Sequence, residues 1–72
     1  MLDAKTRELI ALAVAVTTRC ESCIGVHAEE AVRAGATEDE VAAALAMSIA
    51  LNAGAAYTYS LRALEAYNTQ KA

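Results

Sequence analysis

Apolar positions crowd the first quarter of the chain, where Leu9, Ile10, Leu12, Ala13, Val14 and Val16 follow one another with too few polar interruptions for a one-sided helical stripe. A helix that is apolar over most of its surface belongs in an interior, so this first element is expected to be well buried. Asp3 offers it an N-cap. Thr17 and Thr18, β-branched and able to bond to the local backbone, mark its end. A second helix is expected from Cys20 or just after it, with Ile24, Ala28, Ala31 and Val32 apolar and Glu29, Glu30 and Arg33 polar. Gly35 is its expected stop at the C′ position. The firmest boundary is Thr37-Glu38-Asp39-Glu40, a capping box in which Thr37 reaches forward, Glu40 reaches back and acids fill the first turn.

From Val41 to Leu61 no residue is charged. A membrane span competes here with a helix buried by association between copies of the chain. The abundant alanine, the presence of Ser48, Asn52, Gly54, Thr58 and Ser60, and the acidic cap at the start favour the interface helix. Asn52-Ala53-Gly54 is expected to end or kink the third helix, with a last helix running through Tyr57, Leu61, Leu64 and Ala66. Tyr57, Tyr59 and Tyr67 read as amphipathic packing residues, and Asn68-Thr69-Gln70-Lys71-Ala72 as a frayed tail. There is no proline, no glycine-rich phosphate loop and no tandem repeat. The fold class is all-α: a short helical bundle forming a single domain over residues 1–72.

Composition changes this picture in one respect. A lone core in 72 residues is only marginally stabilising. Although 57% of the residues are hydrophobic, nineteen are alanine and there is no Phe or Trp. Alanine favours helix and lets helices approach closely, but each one buries little area. A homo-oligomer is the expected supplement. The net charge of −3, with six scattered basic residues, excludes nucleic acid as a partner. A membrane partner is not expected either. Asp3 and Glu8 cancel Lys5 and Arg7, so the positive flank of an export signal is missing ahead of the apolar run. Two cysteines at redox spacing then point to the reducing cytoplasm.

The candidate chemistry lies in Cys20-Glu21-Ser22-Cys23-Ile24-Gly25-Val26-His27, which holds both thiols and the only histidine. On a helix, offsets of three and seven place these three side chains within a sector of about 60°. Cys23 and His27 stand at i and i+4, close enough for the imidazole to accept a thiol proton. A helix start at Cys20 would turn backbone N–H groups and the positive end of the macrodipole toward the thiols, which favours thiolate. Three readings compete: reversible disulfide or thiol catalysis, a soft metal site, and two small buried cysteines beside a satisfied histidine. A closed zinc site needs a fourth ligand and no second Cys/His pair exists. Thiol chemistry is therefore preferred, with no cofactor and no metal. The dipole favours Cys20 as the more acidic thiol and the histidine favours Cys23. Cys23 is the expected nucleophile, because a base removes the proton as well as stabilising its loss.

Lys5-Thr6-Arg7-Glu8-Leu9-Ile10-Ala11-Leu12-Ala13-Val14-Ala15, then Cys20-x-x-Cys23-x-x-x-His27, then Gly35-Ala36-Thr37-Glu38-Asp39-Glu40-Val41 closely resembles the carboxymuconolactone decarboxylase family, and the thiols place it nearer the AhpD-like alkylhydroperoxidase branch. The resemblance covers residues 2 to 67. It implies that Glu8 joins a proton relay with His27, that Cys23 attacks a small hydroperoxide and that Cys20 resolves the product to a disulfide. It further implies an external dithiol reductant and a trimeric or hexameric all-α assembly. A decarboxylase or other lactone-acting enzyme would not need the redox pair. A non-catalytic helical oligomer with a vestigial or metal-holding Cys/His cluster is the alternative outside enzymes.

Overall fold

Each helix boundary follows from chemistry within a few residues of it. The Asp3 carboxylate accepts the Thr6 N–H at 2.8 Å, and that bond holds its carboxyl below the ordinary aspartate range. The first helix, α1, spans Ala4–Thr18. The Thr17 and Thr18 hydroxyls both donate back to the Val14 carbonyl, at 2.7 and 3.2 Å. Arg19 then turns left-handed (φ 55°, ψ 43°), its N–H reaching the Val16 carbonyl while the Cys20 N–H reaches that of Ala15. This pair of bonds is a Schellman ending. α2, Glu21–Arg33, ends in the same way: Gly35 sits at φ 85°, its N–H on the Val32 carbonyl and that of Ala36 on Ala31. The capping box starts α3, Glu38–Lys71, as expected: Thr37 N–H donates to Glu40 Oε1 at 2.9 Å and Glu40 N–H to Thr37 Oγ1 at 3.1 Å. This computed structural model describes residues 1–71, and among them there is no strand.

The sequence expectation of a break at Asn52-Ala53-Gly54 is corrected, because α3 runs unbroken through it. Asn52 spends its side chain on its own helix, donating from Nδ2 to the Ser48 carbonyl at 2.8 Å. Thr58 and Ser60 donate likewise to the Gly54 and Ala56 carbonyls. One glycine costs a helix only about 1 kcal/mol relative to alanine, and Ala53, Ala55 and Ala56 flank it with the best helix former. The expected frayed tail is also corrected: Asn68 to Lys71 are helical, and Ala72 lies outside the described residues.

α1 packs against both other helices, which do not pack on one another. Leu12 and Ala15 of α1, Ala31 of α2 and Ser48 of α3 are the buried residues. The Ser48 hydroxyl is satisfied by the Ala13 carbonyl at 2.7 Å, fastening α3 to α1, and the Lys5–Glu40 ion pair at 2.9 Å fastens them again nearer the start of α3. The expectation of a well-buried α1 is corrected within a single chain: Ile10, Val14 and Val16 are exposed, because two neighbouring helices cover two sides of α1 and leave the rest open.

From Ile49 onward every described residue is exposed, including the three tyrosines expected to pack. Arg62 lies over the Tyr59 ring and Lys71 over that of Tyr67, at 5.1 and 5.8 Å. The radius of gyration is accordingly 16.8 Å, against roughly 11 Å for a compact chain of this length. α3 alone makes the long dimension of 57 Å, since thirty-four helical residues rise about 51 Å. By length and composition α3 is also long and apolar enough to cross a membrane.

Candidate active site

The end of α1 delivers the first cysteine. Cys20 closes the Schellman turn with its N–H and, with no residue between, serves as the N-cap of α2. Its Sγ accepts the Cys23 N–H at 3.3 Å, and Ser22 Oγ stands 3.6 Å away. A sulfur in that place faces the unpaired amide hydrogens of a helix start, where negative charge is stabilised. The i, i+3 spacing brings the two Cα atoms to 5.2 Å, and the sulfurs are joined as a Cys20–Cys23 disulfide. Both cysteines are half-buried.

The second pair crosses between helices. Glu8 on α1 and His27 on α2 meet with Oε1 and Nδ1 2.6 Å apart. The Glu8 side chain is 19% exposed, so the partnership is partly shielded from water. A carboxylate only accepts, so Nδ1 carries the hydrogen and donates it, which leaves the lone pair of a neutral ring on Nε2. Glu8 also lines a cleft of about 240 Å³ with Arg7, Glu30 and Arg33. Arg33 is already engaged there by Glu30 at 2.9 Å and by Glu29 at 3.7 Å.

Thus the structure joins Cys20 to Cys23 and Glu8 to His27, both pairs on the α1–α2 side of the fold. A disulfide with a polarised imidazole one helical turn beyond it is equipped for two-electron thiol chemistry. Among the described residues, no group of three or more His, Cys, Asp or Glu side chains is placed to share a metal ion. Two residues at the motif take part in ways the sequence pattern does not predict. Ser22 reaches the Cys20 sulfur, for which its spacing was the only signal. Arg19 takes the left-handed position before Cys20, where glycine or asparagine is the usual occupant. The end of α1 at Thr18 marked that position.

The family model for the carboxymuconolactone decarboxylase family matches residues 1–66, and the chain belongs to that family. It is similar to an uncharacterized protein of Haemophilus influenzae, with 86% identity over all 72 residues, which make up 64% of that relative. Uncharacterized protein 4 in the cox locus of Paracoccus denitrificans is 43% identical over 88% of this chain and 57% of its own length. An uncharacterized protein of Cupriavidus necator is 35% identical over 99% of the chain and 63% of its own. The chain therefore spans about three fifths of the length of the curated relatives it matches.

Proposed function

We propose that this chain is the redox unit of an AhpD-like thiol peroxidase, reducing a small organic hydroperoxide at the expense of an external dithiol. The observation that carries the reading is the 2.6 Å Glu8–His27 contact set one helical turn from a Cys20–Cys23 disulfide. In the reduced state Nε2 of His27 takes the Cys23 proton, with Glu8 holding the ring. The Cys23 thiolate attacks the terminal peroxide oxygen, the O–O bond breaks, and sulfur is oxidised to a sulfenic acid. The departing alkoxide takes the proton from His27 and leaves as the alcohol. The Cys20 thiol then displaces water from the sulfenic acid, forming the disulfide. The dithiol reduces that disulfide by exchange and becomes oxidised itself. A reducing compartment such as the cytoplasm suits this cycle. The lactone-decarboxylase reading gives the disulfide no task.

The unit is proposed to work as a homo-oligomer. Its accessible surface is 5605 Å², against roughly 4,200 Å² for a compact 7.5 kDa monomer. The excess, roughly 1,400 Å² per chain, exceeds the ~800 Å² that each partner gives to a standard interface. The exposed apolar side chains of α3, among them Met47, Ile49, Leu51, Leu61 and Leu64, supply apolar surface for it.

The test is a thiol count. Protein reduced with a dithiol and then desalted should hold two free thiols per chain, lose both on exposure to one equivalent of an organic hydroperoxide, and regain both with fresh dithiol. Thiols that persist through that exposure would remove the peroxidase reading. Sedimentation of a folded monomer at micromolar concentration would remove the oligomer.

A further inference from the structure

We propose that Ser22 is a catalytic residue of the reductive half of the cycle: its hydroxyl, together with the Cys23 N–H, makes Cys20 the leaving sulfur, so that the external dithiol attacks Cys23 and is held there. This rests on the thiol reading of the site only as far as a reversible disulfide, and it needs no peroxide. Both cysteines are half-buried, so exposure does not choose between them. Where access is equal, exchange is faster at the sulfur whose partner leaves as the better-stabilised thiolate.

The hydrogen-bond donors are distributed unequally between the two sulfurs. Cys20 Sγ accepts the Cys23 N–H at 3.3 Å and lies 3.6 Å from Ser22 Oγ. A disulfide sulfur carries no hydrogen, so the Ser22 hydroxyl is the donor of that pair. Among the described residues that hydroxyl has no other hydrogen-bond partner, and no hydrogen bond ends on Cys23 Sγ. Cys20 is also the N-cap of α2, where the positive end of the helix acts on its sulfur first. Its backbone is tied on both sides, the N–H to the Ala15 carbonyl at 3.1 Å and the carbonyl to the Ile24 N–H at 3.0 Å. The donors therefore stand in place before the S–S bond breaks, and the charge that develops on Cys20 meets them without rearrangement.

The exchange follows from that asymmetry. A donor thiolate forms a bond to Cys23 Sγ, the S–S bond breaks, and its electron pair leaves on Cys20 Sγ, which later takes a proton from water. The second thiol of the donor gives its proton to His27 Nε2 and attacks the first donor sulfur. The bond to Cys23 then breaks, Cys23 keeps the electron pair, and His27 returns the proton to it. The donor departs as its own disulfide and both cysteines are reduced.

The test starts from the disulfide form and uses 2-mercaptoethanol, an uncharged monothiol that stops at the mixed disulfide when quenched early. After acid quenching and alkylation, peptide mass spectrometry should find mercaptoethanol on Cys23 and the alkyl group on Cys20 roughly tenfold more often than the reverse. Ser22→Ala should lower that ratio and slow reduction by dithiothreitol roughly three- to tenfold, and Ser22→Thr, which keeps the hydroxyl, should restore both. A second arm reads what a merely structural role would not move. In the reduced Cys23→Ser chain, the midpoint of the pH profile for Cys20 alkylation should rise by roughly half a unit to one unit on Ser22→Ala. Mercaptoethanol found mainly on Cys20, or a ratio and a midpoint that Ser22→Ala leaves unmoved, would overturn the assignment. Selective exchange at Cys23 in a chain whose thiols ignore organic hydroperoxide would instead overturn the peroxidase reading and leave the assignment standing.

Discussion

Glu8 Oε1 and His27 Nδ1 stand 2.6 Å apart, so a carboxylate on one helix fixes the tautomer and the orientation of an imidazole on the next. Glu8→Gln keeps the shape of that contact and removes its charge. The rate of thiol oxidation by hydroperoxide should fall by roughly 10- to 100-fold, the scale on which partners of a functional histidine act. Circular dichroism should show the helical content unchanged. Wild-type kinetics in a folded Glu8→Gln chain would make Glu8 a bystander.

The two sulfurs are expected to separate by role. Cys20→Ser should react once with peroxide and stop at the sulfenic acid on Cys23, since nothing is left to condense with it. Cys23→Ser should lose the rapid reaction. A dimedone label read by mass spectrometry distinguishes them. Label on Cys20 of the Cys23→Ser chain at the wild-type rate would show that the helix N-terminus, and not the histidine, chooses the nucleophile. In the Cys20→Ser background, His27→Ala should slow labelling strongly at neutral pH and far less above a pH of about 8.5, where a free thiol ionises unaided.

Much of this arrangement was legible where the chemistry is local. Asp3, the Thr17-Thr18 ending, Gly35 and the Thr37/Glu40 box each act through atoms within five residues, so reading the neighbours was enough. Asn52 and Gly54 misled because residue types that break helices were weighed without the bond Asn52 makes to Ser48 and without the alanines around Gly54. Periodicity also counts the apolar positions of a helix, not how many neighbours cover them, so a dense apolar α1 does not translate into burial within one chain. Glu8 and His27 are nineteen positions apart, and no helical period connects them; the family resemblance, not spacing, brought Glu8 into view. Arg19 was passed over because its backbone conformation is one that arginine rarely adopts.

The continuity of α3 has its own test in Gly54→Ala. A Cβ at this position meets nothing within 4 Å. Alanine should therefore stabilise the helix by about 0.5–1 kcal/mol, visible as a raised thermal midpoint. A lowered midpoint would mean that the chain needs a break at Gly54 after all.

The Lys5–Glu40 pair sets a pH window. The Lys5 ammonium, with help from the Thr37 N–H, holds the Glu40 carboxyl below its ordinary value of 4.5, and Glu40 in turn raises Lys5 above 10.5. A depressed acid stabilises the fold above 4.5, and the stabilisation is lost as pH falls through the lower folded value; the raised lysine stabilises below 10.5 and loses this as pH rises past its folded value. Glu40→Gln should thus melt below the wild type at neutral pH, with the difference closing in acid. Parallel melting curves of the two chains down to pH 2 would contradict this linkage.

Because Cys20 Sγ is the acceptor for the Cys23 N–H, the sulfur that would change oxidation state in the proposed cycle is also the atom that starts α2. A thiolate accepts a hydrogen bond more strongly than a disulfide sulfur does. Each turn of the cycle should therefore tighten and loosen the first turn of the helix. The amide of Cys23 should exchange with solvent deuterium more slowly in reduced than in oxidised protein once the pH is high enough to ionise Cys20, making one backbone proton a built-in gauge of redox state.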